Sequence, residues 1–249
     1  MPLTIDVLAD KTTLIERAVV CITTRIMKAI TERGKATIAL AGGSTPRPLY
    51  EALATQALPW EKVYVFWGDE RYVPVTHPDS NERMARQAWL DRVDIPESNI
   101  FSMPTGANDP AKDAAAYDQL LESFFQNYSG AFPSLDVILL GLGDDGHTAS
   151  LFPQTAALDV CDRRVTVGNK DGQPRITLTI PMLNQGRSVI FLVAGANKQA
   201  ALSEIFAPEA DARQYPACFI QPQDELLWLL DQSAGEKLDI QALNPSESA

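Results

Sequence analysis

Short apolar runs bounded by glycine or polar residues alternate along this chain with stretches whose apolar positions recur at helical spacing. Leu3 to Val7 predicts a strand. Leu14, Ile15, Ala18, Val19, Ile22, Ile26, Ala29 and Ile30 then fall on one side of a helix, and Gly34 supplies its stop. Ala36 to Leu40 predicts a second strand, followed by a Gly42-Gly43-Ser44 turn, Thr45 as an N-cap and Pro46 in the first helical position. Val63 to Trp67 predicts a third strand that ends in Gly68-Asp69-Glu70-Arg71. A polar loop with His77, Pro78 and Asp79 leads to a helix from about Asn81 to Leu90, and Ala111 to Gln126 reads as another helix.

The run Val137 to Leu140 is short, β-branched at its start and bounded by glycine, which predicts a strand buried on both faces. Arg164 to Val167 and Ile176 to Ile180 alternate more, so they predict an exposed, antiparallel portion. Ser188 to Val193 returns to a buried strand, Gly195-Ala196-Asn197-Lys198 starts a helix to about Phe206, and Leu226 to Leu230 is the last strand. Such alternation of strand and helix predicts an α/β sheet. No linker-like composition, repeat or low-complexity segment divides it, so one domain over residues 1–243 is expected, with a frayed polar tail from Asn244 to Ala249.

A formal net charge of −11 argues against nucleic acid or an anionic membrane as partner, since either is repelled over most of the surface. An anionic substrate would need a local basic pocket. Cys21, Cys161 and Cys218 are odd in number and widely spaced, which fits a reducing cytoplasm better than a disulfide framework or a zinc site. The start of the chain lacks a basic segment followed by an apolar core, and no apolar run approaches a membrane span. Sheet-flanking helices and subunit contacts share one pattern, so the residues leave the oligomeric state open.

The richest segment is Gly141-Leu142-Gly143-Asp144-Asp145-Gly146-His147, because loops at the carboxyl ends of parallel strands hold ligands and imidazole moves protons near neutrality. Gly141, Gly143 and Gly146 permit positive φ and close substrate approach. They formally satisfy GxGxxG, but Pro153 ends any helix that a pyrophosphate would need. Gly42-Gly43-Ser44-Thr45 before a helix is a sensible phosphate cradle, or simply a capped turn. Asp69, Glu70 and Arg71 form either a mutual salt-bridge network or a site in which Arg71 steadies an anion. Arg175 and Lys198 are further candidates for the basic pocket. His77 reads as solvated or structural, and no ligand spacing points to a metal.

Taken together, Ala41-Gly42-Gly43-Ser44-Thr45-Pro46, Gly68-Asp69-Glu70-Arg71, Ser80-Asn81, Gly141 through Pro153, Arg175 to Thr179 and Gly195 to Lys198 resemble the glucosamine-6-phosphate isomerase/6-phosphogluconolactonase family. The resemblance implies a Rossmann-like, mainly parallel sheet flanked by helices on both faces, with no cofactor. It implies hydrolysis of a sugar-phosphate lactone, 6-phospho-D-glucono-1,5-lactone, in the oxidative pentose phosphate pathway. By position, Gly43, Ser44, Thr45, Arg175 and Lys198 match residues around the substrate phosphate, and Asp69, Arg71 and His147 match residues near the lactone. Gly42, Gly143, Asp145 and Gly146 complete the expected site, with either Asp69 or Asp145 holding the imidazole or a sugar hydroxyl. The deaminases and isomerases of the family carry a text resembling HIAFNEP. Here His147-Thr148-Ala149-Ser150-Leu151-Phe152-Pro153 lacks that glutamate, which weakens a deaminase reading. A sugar-phosphate sensor would need a DNA-binding or effector segment, and none is spare. Gly235 interrupts an expected helical Ala pair.

Overall fold

The computed structural model describes residues 3–126, 128 and 130–243, so the tail from Asn244 lies outside the described residues. In chain order the elements are β1 (Leu3–Leu8), α1 (Lys11–Arg33), β2 (Ala36–Leu40), α2 (Pro46–Leu53), β3 (Val63–Trp67), β4 (Asp69–Arg71), α3 (Asn81–Ala88) and α4 (Pro110–Phe124). There follow β5 (Val137–Leu140), β6 (Val165–Lys170), β7 (Gln173–Leu178), α5 (Ile180–Leu183), β8 (Val189–Val193), α6 (Gln199–Ile205), β9 (Leu226–Asp231), α7 (Gln232–Gly235) and α8 (Ile240–Leu243).

Six strands form one parallel sheet in the order β1-β9-β8-β5-β2-β3. Every residue of β2, β5, β8 and β9 is buried, as a parallel sheet covered on both faces by helices requires. Their side chains are aliphatic or aromatic almost throughout, so the sheet itself is the centre of the core. Phe191 and Trp228 stack across β8 and β9 with ring centroids 3.7 Å apart. α1 begins at an Asp10–Thr13 capping box and ends where Gly34 adopts a left-handed φ of 77°.

The smaller sheet, β4-β7-β6, is antiparallel. Here the structure corrects the sequence reading, because Asp69-Glu70-Arg71 is an edge strand and not a loop. Gly68 joins the two sheets: its N–H donates to Leu40 O at 2.9 Å and its carbonyl accepts from Leu178 N at 2.8 Å. The expected strand at Ile176 to Ile180 stops at Leu178, since Pro181 opens the short α5. Helix α3 ends at Ala88, short of Leu90, and Gly235 closes a four-residue helix where a Cβ would press on Val7.

Asp69, Glu70 and Arg71 form no mutual salt bridge. Instead the buried Glu70 carboxylate accepts from the backbone N–H groups of Arg71, Asn81 and Glu82 and from the Ser80 hydroxyl. It satisfies the N-terminus of α3 and locks that helix to β4. Burial pushes its carboxyl above the usual range, an effect opposed by those N–H donors.

Candidate active site

Strands β8, β5, β2 and β3 are neighbours, and their carboxyl ends open into one cleft of about 330 Å³. The sheet order reverses between β2 and β5, which makes this the topological switch point where open α/β sheets take ligands. The loop after β2 forms one wall. Gly43 has φ 99°, and a Cβ on Gly42 would fall inside the Asn81 side chain, so both glycines are required by the backbone path. Thr45 precedes α2 as expected, but its φ and ψ (−75°, −44°) are already helical and its hydroxyl makes no capping bond. Ser44 and Thr45 both line the cleft beside the open N-terminus of α2.

The loop after β5 carries His147. Its Nδ1 lies 2.5 Å from Asp145 Oδ1, and Asp145 also accepts from the His147 backbone N–H at 3.1 Å. The structure thus gives the imidazole to Asp145, whereas Asp69 accepts from the buried Ser150 hydroxyl at 2.6 Å. Of the three glycines, only Gly146 has a positive φ, 78°. Gly143 is needed for room, because a Cβ there would overlap the His147 ring and the Asp145 carboxylate. Gly141 shows neither constraint. His147, Asp69 and Gly143 face the cleft, while Asp145 and Gly146 stand behind its lining. Ala149, at φ 48°, is held in the left-handed region between Thr148, bonded to Gly141 O, and Ser150, bonded to Thr177.

Partial burial raises the Asp145 carboxyl, but hydrogen bonding and charge from His147 outweigh it and hold the group at about 2 against a usual 3.8. A depressed folded-state value stabilises the fold above pH 3.8, and that contribution is lost as pH falls towards 2. The difference between the melting temperatures of wild type and Asp145→Asn should therefore shrink as pH falls from about 4 towards 2. A difference that ignores pH would contradict this pairing.

Three cations complete the cleft. Arg71 and Arg175 are direct cross-strand partners in the β4–β7 pair, a placement that like charges disfavour. Arg71 Nη1 donates to Asp79 O at 2.6 Å, and its buried Nε has no partner. Among the described residues, neither arginine side chain nor Lys198 meets a carboxylate, whereas Arg17, Arg25, Arg33, Arg86, Arg164 and Arg213 all do. Burial first, then the charge of Arg71, pushes the Arg175 guanidinium below its usual range. Three cations without a carboxylate partner in one cleft of an acidic protein are the arrangement that binding an anion requires.

Asn81 is the contributor that sequence reading did not place in the site. It is buried against Gly42, donates from Nδ2 to Asp69 O at 2.9 Å and presents an unpartnered Oδ1 at the cleft. His77, taken as solvated or structural, is exposed and accepts from Asp79 N.

Residues 9–228 match the family model described as glucosamine-6-phosphate isomerases/6-phosphogluconolactonase. A 6-phosphogluconolactonase of Synechocystis sp. is 72% identical over 234 residues, covering 94% of this chain and 98% of that protein. One from Nostoc sp. is 62% identical over 96% of this chain and all of its own length. Among solved structures, 6-phosphogluconolactonase from Trypanosoma brucei superposes with a TM-score of 0.86 at 33% identity, covering 95% of this chain and 99% of that one.

Proposed function

The chain belongs to the glucosamine-6-phosphate isomerase/6-phosphogluconolactonase family, and on that premise we propose how its cleft hydrolyses 6-phospho-D-glucono-1,5-lactone to 6-phospho-D-gluconate. His147 is the general base. Asp145 holds Nδ1 and so selects the tautomer with Nε2 free to accept a proton. Water attacks C1 and gives its proton to Nε2. The tetrahedral intermediate then breaks the bond from C1 to the ring oxygen, which leaves with that proton as the C5 hydroxyl.

The developing oxyanion needs a donor. Gly143 and Gly146 N–H groups are already bonded to His147 O and Gly143 O, so Arg71, with its unpartnered Nε, takes that role. A well-placed donor of this kind contributes about 3 kcal/mol. Asp69 accepts a sugar hydroxyl, held in place by Ser150. Arg175, Lys198 and the Gly42 to Thr45 loop grip the phosphate. The steps need only water and side chains.

A deaminase reading finds no support in the loop after His147, where Phe152 precedes Pro153 in place of the expected carboxylate. We infer a single domain over 1–243 acting in the cytoplasm on a free metabolite and without nucleic acid, consistent with three free cysteines and a net charge of −11. Among the described residues no helix is long and apolar enough to cross a membrane.

The observation that carries this reading is the His147–Asp145 pair opening onto the same cleft as three unpaired cations. Arg175→Ala tests it. Loss of a charge-assisted contact should raise KM for the phosphorylated lactone by about 10- to 100-fold, with kcat little changed. Unphosphorylated gluconolactone should be turned over as before; an equal loss on both substrates would sink the assignment.

A further inference from the structure

Behind the cleft wall, one benzene ring touches both halves of the site. The His147 ring centroid lies 4.5 Å from that of Phe152, and the Arg175 guanidinium carbon lies 5.4 Å from the same centroid. Lys170 Nζ sits 5.7 Å from it. Phe152 is itself buried and does not line the cleft. We propose that Phe152 is a positioning residue that seats Arg175 and His147 together, so that the phosphate grip and the base keep one spacing.

The argument starts from Arg175. Its side chain has no hydrogen bond or ion pair among the described residues, and its cross-strand partner is another arginine. Such a guanidinium is pushed away by Arg71 and is not tethered by any carboxylate. The electron-rich face of an aromatic ring attracts a cation without neutralising it, which leaves the full charge available for an anion. A carboxylate in that place would consume the charge. At the other end, the ring borders the imidazole whose Nδ1 meets Asp145, so Asp145 and Phe152 together restrict its orientation. Pro153 directly follows, and its ring disfavours helical backbone at Phe152, which narrows the conformations from which that side chain can project.

This inference rests on the phosphate-gripping role of Arg175 argued above. The test replaces Phe152 with Tyr, with Leu and with pentafluorophenylalanine, which keeps the ring's shape but reverses the charge of its face. KM for the phosphorylated lactone and the inhibition constant of inorganic phosphate should rise about 5- to 30-fold in the Leu and pentafluoro variants and stay near wild type with Tyr. KM for unphosphorylated gluconolactone should move less than about twofold. A pentafluoro variant that melts like wild type and still binds phosphate like wild type overturns the proposal, as does a Leu variant that lowers kcat on both lactones while its phosphate binding stays at the wild-type level. The pentafluoro ring decides if the Leu variant fails to fold. Should wild type itself neither bind inorganic phosphate nor prefer the phosphorylated lactone, the phosphate reading falls; wild-type preference retained in the pentafluoro variant removes only the role of Phe152.

Discussion

Replacing His147 with alanine should lower kcat for the lactone by about 10²- to 10⁴-fold while KM changes far less, because the proton transfer proposed for it belongs to the transition state alone. The fold should tolerate the change. His147 sits in a loop at the mouth of the cleft, its backbone is held by Asp145 Oδ1 and Gly143 N, and neither bond needs the ring. The lactone opens spontaneously, so the rate must be measured after subtracting the uncatalysed reaction. A variant that keeps near wild-type kcat under that correction would remove the imidazole from the chemistry.

Gly143→Ala should cost nearly as much without touching a reacting group. The added methyl would overlap the His147 ring and the Asp145 carboxylate, and the softest response is for the imidazole to swing out of line. Misplacement of a catalytic group by about 1 Å costs roughly 10²-fold. The double variant separates this cause from general damage. If glycine serves only to seat the ring, Gly143→Ala adds nothing once His147 is alanine, and the two losses fail to multiply. Multiplying losses would show that Gly143 acts through something other than the imidazole.

The parallel sheet was legible because its strands are local and extreme. Val137 to Leu140 and Val189 to Val193 are apolar at every position, a pattern that a strand covered on both sides produces and a half-exposed strand does not. The site loops were legible for a related reason, since Gly42-Gly43-Ser44-Thr45 and the segment ending at His147 each follow such a strand directly. What stayed hidden depends on pairing between distant segments. Nothing in Asp69-Glu70-Arg71 says that it is a strand, because its backbone partners are Thr177 to Arg175. The face-to-face arginines follow from that register alone. Likewise Glu70 reads as one charge in a cluster until α3 brings its N-terminal amides onto the carboxylate, and the same packing turns Asn81 towards Gly42. Which of Asp69 and Asp145 lies against the imidazole depends on how the loop after β5 folds back on itself, and it is Asp145, while Asp69 meets Ser150.

Gly68 has one further consequence. With its amide given to one β-sheet and its carbonyl to the other, the ribbon from Val63 to Arg71 is spliced into both, and the two halves of the receptor share an unbroken backbone. Rocking one sheet against the other at this point would have to break the bonds that splice them, so the splice ties the spacing of the two halves to the backbone itself.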